Sequence, residues 1–256
     1  MTIADPRIQK RSQPKETVIF AAGQLQGQRD LQEDRFLNFS DECFVIADGV
    51  GGMPHGEVAA TIACETAIWG YKHIRQRRCY WLNKKQFMHR IFRSTNLAVW
   101  QKHRETGFGD GLASTLLVLI VGAETLWIGS AGDSNAFFFR NGMVQKLTHE
   151  DVDAVGNLTK ALGLKRLGLM PQFIREDFFV HDVILLATDG VSDYVTTNDL
   201  MMIMSSAGST AETVKSAVDS LIQIAEENGS KDNMTACLIK RASVVGQSVL
   251  SSDSMI

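Results

Sequence analysis

The stretch FVIADGVGG, residues 44–52, places an aspartate directly after an apolar run and directly before a glycine-rich turn. The stretch ILLATDG, residues 184–190, repeats the arrangement. The apolar runs predict buried strands, so Asp48 and Asp189 are both expected at the C-terminal mouth of a strand. A turn explains either aspartate alone, since Asp-Gly often follows a strand. Two carboxylates so placed cost desolvation energy unless a positive charge meets them, and the repetition therefore favours a cation.

Two further aspartates occupy comparable positions. Asp133 follows the strand-like stretch IGSAG, residues 128–132, and Asp232 lies just before the apolar stretch 234–239. Oxygen ligands without accompanying His or Cys suit hard cations, Mg²⁺ or Mn²⁺, rather than zinc or copper. The sequence contains no HExxH, EF-hand or zinc-finger spacing. These aspartates are therefore the candidate metal ligands.

Composition places the chain among ordinary globular proteins. Its 256 residues are 45% hydrophobic and 21% charged, which suffices for one large core and excludes a disordered or fibrous protein. The net charge of −3 argues against nucleic acid as a partner. The four cysteines lack the spacing of a zinc site and the density of a disulfide scaffold, which predicts reduced thiols and a cytoplasmic location. No export signal and no membrane span are predicted.

Apolar patterning predicts both strands and long helices. The strands are expected at residues 17–22, 35–39, 42–47, 113–121, 125–129, 136–140, 143–147, 172–180, 183–187 and 234–239. Helical spacing of apolar residues extends over 59–74, 87–99 and 214–225. Because a consecutive helix pair interrupts the strands rather than alternating with them, the pattern favours an α+β fold with mainly antiparallel sheets, layered as a sandwich of helices over sheets.

The glycine-rich turn after Asp48 allows two interpretations. Backbone N–H groups ahead of a helix could cradle a phosphate, although neither a Walker A loop nor GxGxxG is present. Glycines also let the backbone approach a metal closely, with the carbonyl of Gly49 as a ligand. Arg29 opens the acidic segment RDLQED, residues 29–34. It could clamp a phosphate beside metal-bound carboxylates or form only a solvated surface pair.

Taken in chain order, these segments resemble the metal-dependent protein phosphatases of the PP2C (PPM) family, in particular its bacterial branch. The matching motifs are RxxQED at 29–34, ADGVGG at 47–52 with GE at 56–57, GDS at 132–134 with RxG at 140–142, LTKALG at 158–163, TDGxxD at 188–193 and DNxT at 232–235. The matches are collinear and cover residues 23–240, which is nearly the whole domain.

The resemblance implies a PP2C-like α-β-β-α sandwich of two antiparallel sheets flanked by helix pairs, with a two-metal centre at one end. It also implies two Mn²⁺ or Mg²⁺ ions per chain and a weaker third site. By this resemblance, Asp48 would bridge both metals, the Gly49 carbonyl would bind one of them, and Asp189 and Asp232 would bind the other. Glu33 and Asp34 would act mainly through metal-bound water, and Asp133 with Asp189 would form the third site. Arg29 would bind the phosphate of the substrate.

The implied function is a protein serine/threonine phosphatase. It would hydrolyse phosphoserine and phosphothreonine by direct attack of a metal-bridging water, and would oppose a bacterial Ser/Thr kinase. Two alternatives stay open. A catalytically weak phosphoprotein-binding or regulatory member of the fold would typically have lost metal carboxylates, which are present here. A metal-dependent nuclease would want a basic groove, which the net charge disfavours.

Two departures from the family pattern concern the active site. Val50 and Met53 stand where eukaryotic and bacterial members respectively carry His, so His55 or a metal-bound water is the candidate proton donor to the leaving group. Only eight residues, 149–156, separate LT at 147–148 from NLT at 157–159, where relatives carry a longer helical flap. The segment is expected to be a simple connection, which puts the third metal and substrate gating in question.

The predicted organisation is a disordered N-terminal tail at 1–16, a phosphatase domain at 17–240 and a flexible C-terminal tail at 241–256. The protein is expected to act as a monomer. Eight basic residues and no acidic ones lie between Lys72 and Arg93. A solvated face of a helical hairpin explains this cluster, and a docking site for an acidic partner is the alternative.

Overall fold

A computed structural model describes residues 15–50, 55–75, 83–105 and 111–244. The strands are β1 (Lys15–Leu25), β2 (Arg35–Phe39), β3 (Cys43–Ala47), β4 (Leu116–Val121), β5 (Thr125–Ala131), β6 (Asn135–Arg140), β7 (Met143–Lys146), β8 (Gln172–Asp177), β9 (Val183–Ala187) and β10 (Met234–Val244). The helices are α1 (Gly56–Arg75), α2 (Lys84–His103), α3 (Asp189–Ser192), α4 (Thr197–Ser206) and α5 (Ala211–Glu227).

The strands form two antiparallel sheets that pack face to face. The first sheet has the order β1-β10-β9-β6-β7, and the second has the order β2-β3-β4-β5-β8. Helices α1 and α2 cover the outer face of the second sheet, whereas α3, α4 and α5 cover the first. A third apolar cluster fills the space between the sheets. The α-β-β-α sandwich expected from the resemblance is therefore confirmed.

Strand periodicity explains why the decisive apolar runs are continuous. In β3, Phe44 and Ile46 point between the sheets, while Val45 and its odd-numbered neighbours point toward α1. In β9, Ile184 and Leu186 likewise enter the inter-sheet layer, and the alternate side chains contact the helices of the first sheet. Because both faces of these strands are buried, both strands consist entirely of apolar residues. Charged groups are confined to the strand ends.

All predicted strands and the three predicted long helices are present, with small shifts at their ends. β4 begins at Leu116 rather than at residue 113, and β8 ends at Asp177 rather than at residue 180. The sequence pattern missed α3 and α4. α3 is a single turn, and α4 exposes Met201 and Met202, which blurs its amphipathic spacing. A Thr196–Asp199 capping box marks the start of α4.

The ends of the domain extend beyond the predicted bounds. β1 begins at Lys15 and β10 ends at Val244, and these two residues are paired in the antiparallel ladder between the strands. Arg241, expected in a flexible tail, is instead buried within β10. The predicted disorder at 1–14 and flexibility at 245–256 lie outside the described residues. None of the helices in the described part of the chain is long and apolar enough to cross a membrane.

Arg241 anchors this last part of β10. Its Nη2 donates to the Gly122 carbonyl at 2.6 Å, its Nη1 lies 3.3 Å from a Glu16 carboxylate oxygen, and its guanidinium lies 4.9 Å from the Phe178 ring centroid. The arginine side chain is only 7% exposed. The strand extension thus ties β10 to β1 and to the loop after β4.

We expect Arg241→Ala to lower the free energy of unfolding by about 2–4 kcal/mol, because it leaves the Gly122 carbonyl unpaired and opens a void against Phe178. Urea denaturation monitored by circular dichroism measures the change. The matched control is Arg175→Ala, because Arg175 is 54% exposed and, among the described residues, forms an ion pair with Asp177 alone. The control should cost less than about 1 kcal/mol. Equal effects of the two substitutions would contradict an anchoring role for Arg241.

Candidate metal centre

Acidic side chains from both sheets meet in a cleft of about 140 Å³ at one end of the sandwich. Asp48 follows β3 of the second sheet, whereas Asp189 follows β9 and Asp232 precedes β10 of the first. The cleft is lined by Arg29, Glu33, Asp48, Gly49, Val50, Thr115, Asp133, Leu158, Asp189, Asp232 and Asn233. All residues predicted to bind metal or the substrate phosphate, except Asp34, therefore line one cleft.

The backbone on both sides of the Asp48 side chain is fixed by hydrogen bonds. The Asp48 carbonyl accepts from the Thr115 amide and from the Ser114 hydroxyl, each at 2.8 Å. The Asp48 amide donates to the Thr115 hydroxyl at 2.9 Å. These bonds satisfy the main chain where β3 ends, so the carboxylate is presented to the cleft by a rigid support.

Gly49 has a structural reason to lack a side chain. A Cβ there would lie 2.4 Å from the carbonyl carbon and oxygen of Gly56, at the start of α1. The residue therefore lets the metal-side turn pack directly on the helix backbone. The sequence interpretation attributed the glycine to close approach of a metal. The packing against Gly56 is sufficient by itself, while the Gly49 backbone still lines the cleft.

Asp189 begins α3 and contacts Asp48 directly. The Gly190 amide donates to the Asp189 carboxylate at 2.6 Å, and the carboxyl groups of Asp189 and Asp48 lie close together. A Cβ at Gly190 would lie 2.1 Å from the carbonyl oxygen of Asn233, so glycine is required for α3 to approach β10 this closely.

Arg29 reaches the cleft, where it is paired with Asp232. Its Nη2 donates to the Asp232 carboxylate at 2.6 Å, and the two side chains are 46% and 33% exposed. The sequence analysis assigned Arg29 to the substrate phosphate and Asp232 to a metal. The structure places them within reach of each other, so the guanidinium already lies beside the proposed ligand set.

Asn233 holds the loop that carries Arg29 and Glu33. Its Nδ2 donates to the carbonyls of Gln26 and Leu31, and its Oδ1 accepts from the Glu33 amide at 2.7 Å. The side chain is buried, so these bonds face little competition from water. The single residue after Asp232 thus fixes the acidic loop to the end of β10.

Glu33 and Asp34 occupy different layers of the site. Glu33 lines the cleft, while Asp34 is fully buried behind it. The Thr188 hydroxyl donates to Asp34 Oδ2 at 2.9 Å, and Asp34 Oδ1 has no hydrogen-bond partner among the described residues. An unpaired buried carboxylate oxygen is costly unless water or a cation meets it.

Burial and mutual repulsion raise the pKa values of these acids. Burial, with the charges of Asp34 and Asp189, holds the pKa of Asp48 well above its ordinary range. Burial and the neighbouring Asp232 raise the pKa of Asp189. Burial is also the main reason why the pKa of Asp34 and that of Asp133 both rise to about 7. Near neutral pH, the binding of protons or cations to the cleft is therefore favourable.

The donor set fits small hard cations. Within the described residues, no three His, Cys, Asp or Glu side chains stand together as a ready-made cage for one ion. Mg²⁺ does not require one, since it keeps several waters and usually takes one or two carboxylates. Asp48, Asp189 and Asp232 with the Gly49 carbonyl offer such small oxygen sets. The raised acid pKa values and the unpaired Asp34 oxygen support the same conclusion.

Asp133 lies beside the main cluster, at the predicted third site. It lines the cleft, and its pKa is raised by burial and by the charge of Asp189. Asp193 and Glu150 lie close enough to add to this effect. Glu150 is itself paired with Lys146 and Asn135. Asp133 thus borders both the cleft and the neighbouring polar cluster.

The two departures noted in the sequence have different outcomes. His55 is described, with φ of 65° and its Nδ1 3.8 Å from a Glu57 oxygen, but it does not line the cleft. Met53 lies outside the described residues. The connection at 149–156 contains no helix; it holds turns and an isolated bridge between Val152 and Leu158. The simple connection expected in place of a helical flap is therefore present.

Comparison with known proteins accounts for this arrangement. The sequence model of a family described as protein phosphatase 2C matches residues 28–239. The chain belongs to the protein phosphatase 2C family. A serine/threonine phosphatase stp from Listeria welshimeri is 26% identical over 224 residues, which cover 77% of this chain and 83% of that protein.

Solved structures show the same fold. A bacterial serine phosphatase superposes with a TM-score of 0.76 at 21% identity, covering 90% of this chain and 99% of its own. The catalytic domain of the phosphatase PstP, solved with two manganese ions, gives a TM-score of 0.73 at 21% identity and covers 90% of this chain and 100% of its own. At this identity the superpositions establish the protein phosphatase 2C fold of the chain.

Sequence reasoning missed the residues that position the phosphatase cleft. Thr115, Thr188 and Asn233 hold Asp48, Asp34 and the acidic loop respectively. Thr188 and Asn233 could have been predicted, because they are the sequence neighbours of Asp189 and Asp232 at the strand ends. Thr115 carries no such signal, because its partner Asp48 lies 67 residues away.

Divalent cations should stabilise the folded phosphatase. At a Mn²⁺ concentration of about 100 times the dissociation constant, we expect about 2.7 kcal/mol, or a rise of about 5–10 °C in the unfolding temperature. Asp48→Asn should lose most of this rise. In chelator the same variant should be at least as stable as the wild type, because it removes a repelling charge. Calorimetry measures both.

The pH dependence provides a second readout of the same repulsion. Acids whose pKa is raised on folding bind more protons in the folded than in the unfolded state, so ionisation destabilises the fold. The metal-free protein should therefore become more stable as the pH falls from about 8 to 6 through the raised pKa values of Asp34 and Asp133, about 7. A metal-free Asp48→Asn variant that is markedly less stable than the wild type would contradict this account.

Proposed function

We propose that this protein is a metal-dependent phosphatase that removes phosphate from phosphoserine and phosphothreonine in proteins. The observation that carries the proposal is the meeting of Asp48, Asp189 and Asp232 with Arg29 in one cleft. Listeria relatives named serine/threonine phosphatase support the substrate class. A regulatory member without activity is not favoured, because none of the three aspartates has been lost.

We assign two Mn²⁺ or Mg²⁺ ions to the cleft. Asp48 would be shared by both ions, the Gly49 carbonyl would complete one set, and Asp189 and Asp232 would hold the other. Glu33 and Asp34 would act through ordered water, since Asp34 lies behind the cleft rather than in its lining. When bound, such ions lower the pKa of a water and offset charge on phosphoryl oxygens. The two manganese ions of the PstP structure support this number.

Arg29 is the group that would bind the phosphate of the substrate. Its guanidinium is 46% exposed and its five N–H donors allow a bidentate contact with phosphate oxygens while one edge stays near Asp232. Asn233 keeps the loop of Arg29 in place, so the guanidinium is held close to the ligand set before substrate arrives. This pre-positioning lowers the entropic cost of placing the phosphate.

The leaving alkoxide requires a proton, and we propose water held in the cleft as its donor, because His55, the other candidate, does not line the cleft. His55 precedes α1 and contacts Glu57. Asp133 with Asp189 would hold a weaker third cation. Burial and the charge of Asp189 raise the pKa of Asp133 to about 7, so this cation would compete with a proton near neutral pH.

The proposed partners are a phosphorylated protein and an opposing Ser/Thr kinase, met by a monomer in the cytoplasm. Buried free thiols at Cys43, Cys64 and Cys237 support a reducing compartment. Docking of an acidic partner to the cluster between Lys72 and Arg93 stays part of the proposal.

The contacts of this basic cluster limit what it can offer. Lys72 and Arg75 lie over the Phe39 ring, Arg75 is paired with Glu42 at 2.7 Å, and Lys84 lies near the Trp127 ring. Lys85, Arg90 and Arg93 are exposed on α2. Arg77 and Arg78 lie outside the described residues. A partner would therefore meet chiefly the α2 side of the cluster.

Removing a metal carboxylate tests the proposed chemistry. We expect Asp189→Asn and Asp232→Asn each to lower hydrolysis of p-nitrophenyl phosphate with Mn²⁺ by more than about a hundredfold, because each removes a charge that holds a cation. Asp219→Asn, on the exposed face of α5, is the matched control and should keep full activity. Near wild-type turnover of either cleft variant at saturating Mn²⁺ would overturn the two-metal assignment.

Substitution of Arg29 separates phosphate binding from a surface pair. Arg29→Ala should raise KM about tenfold with a smaller change in kcat, because the guanidinium binds the phosphate before and during reaction. Arg29→Lys should recover part of this loss through charge alone. Steady-state kinetics on a phosphothreonine peptide provide both constants. An unchanged KM would show that Arg29 serves only to hold Asp232.

A further inference from the structure

A groove lies beside the metal cleft, between α2 and the segment 159–171. It consists of a cavity of about 380 Å³ and an adjoining cavity of about 160 Å³, which share Asn96, Gly168 and Leu169 in their linings. The larger cavity falls in the volume range of ligand sites in proteins. Together the two cavities form one elongated surface, hereafter the α2 groove.

The α2 groove combines an apolar floor with a basic rim. Phe92, Leu169 and Pro171 contribute the apolar surface. Arg93 and Arg166 line the larger cavity, Lys165 lines the smaller one, and neither lining contains a carboxylate. The mixture suits a peptide with acidic and apolar side chains, because a peptide can bury apolar atoms on the floor while its carboxylates meet the rim.

The rim cations are available to a ligand. Arg93, Lys165 and Arg166 form no ion pair with any carboxylate of residues 15–50, 55–75, 83–105 or 111–244. All three side chains are exposed. The guanidinium of Arg166 lies 5.5 Å from the Trp100 ring centroid, which limits its rotamers without neutralising its charge. Lys160, by contrast, is paired with Asp151 at 2.6 Å.

Hydrogen bonds fix the segment that forms the outer wall. Asn96, buried on α2, accepts from the Gly163 amide at 3.0 Å and donates to the carbonyls of Lys165 and Arg166. The turn that carries the rim cations is therefore attached to the helix that carries Arg93. A wall held in this way is formed before a ligand arrives, which lowers the cost of binding.

The groove is connected to the metal cleft through the main chain. Gly49 in the cleft pairs with Ser114, and Ser114 pairs with Leu162, as two successive antiparallel bridges. Neighbouring strands lie about 4.8 Å apart, so Leu162 is about 10 Å from Gly49. Leu162 itself is buried, and its neighbour Ala161 lines the smaller cavity of the groove. An extended peptide covers that distance in about three residues. Leu158 lines the cleft and Thr159 lines the groove, so the two surfaces meet.

We propose that the α2 groove binds an acidic segment of the phosphoprotein substrate, beginning about three residues from the phosphorylated side chain. The inference rests on the proposed function and adds a substrate class to it. Arg93, Lys165 and Arg166 are the specificity-determining residues. They contact flanking sequence rather than the reacting phosphate, so they select among substrates without entering the chemistry.

The experiment compares phosphothreonine peptides on the Mn²⁺-loaded enzyme. One peptide carries Asp and Glu at three to six residues before the phosphothreonine, a second carries them after it, and a third has Asn and Gln instead. We expect kcat/KM for one of the acidic peptides to exceed that of the neutral peptide about tenfold at low salt. The preference should shrink as the ionic strength approaches about 1 M, where charges are screened within about 3 Å.

Charge variants assign the preference to the groove. Arg93→Glu with Arg166→Glu should reverse it, and Arg93→Gln with Arg166→Gln should abolish it. The matched control, Arg175→Glu with Lys215→Glu, changes the same number of charges on exposed residues that line neither cavity and lie outside the basic cluster between Lys72 and Arg93, and should keep the preference. Hydrolysis of p-nitrophenyl phosphate should be unchanged in all three variants. Circular dichroism checks that each is folded.

The outcomes separate this inference from the proposed function. Equal kcat/KM for all three peptides, or equal loss of preference in the control and groove variants, would overturn the groove as an acidic-peptide site. If the wild type hydrolyses neither small aryl phosphates nor peptides, the proposed function fails. Fluorescence anisotropy of the labelled acidic peptide then still decides the inference, because binding should persist and should be lost in Arg93→Glu with Arg166→Glu.

Discussion

Repulsion among carboxylates that are gathered at one end of the sandwich is the constraint on which the rest of the site depends. Asp48 and Asp189 are close enough to share a hydrogen bond, and Asp34 lies buried behind them. Such a cluster would spread apart if its backbone were free. The Thr115 hydroxyl and the Asn233 side chain prevent this, because they form hydrogen bonds with the main chain that carries the acids. The Thr188 hydroxyl donates to the Asp34 carboxylate itself.

The sandwich explains why these particular positions carry the acids. Residues of even number in β3 point between the sheets, and Asp48 continues that parity past the end of the strand. Thr188 continues the same inter-sheet parity from Ile184 and Leu186 in β9, and donates to Asp34. The inter-sheet layer is apolar along its length and becomes polar where the strands stop. A metal centre at the end of the layer thus costs the core none of its apolar contacts.

Sequence patterns could predict what depends on neighbours along the chain. Runs buried on both faces predicted β3 and β9, and the aspartate after each run predicted an acid that lines the cleft. Contacts between distant segments left no local signal: the Arg29–Asp232 pair joins residues 203 positions apart. Arg241 was assigned to a tail because polar residues are common in tails. Its burial depends on Gly122 and Phe178, which no local pattern brings to it.

The short connection after β7 changes how the site obtains its outer wall. A folded flap would bring its own core, whereas residues 149–156 hold only turns and a bridge. The wall depends instead on bonds to other elements: Leu162 pairs with Ser114, and Asn96 holds the turn after Gly163. Ser114 also donates to the Asp48 carbonyl. Ser114 therefore supports both Asp48 and the wall, so a displacement of the wall reaches Asp48 through two hydrogen bonds.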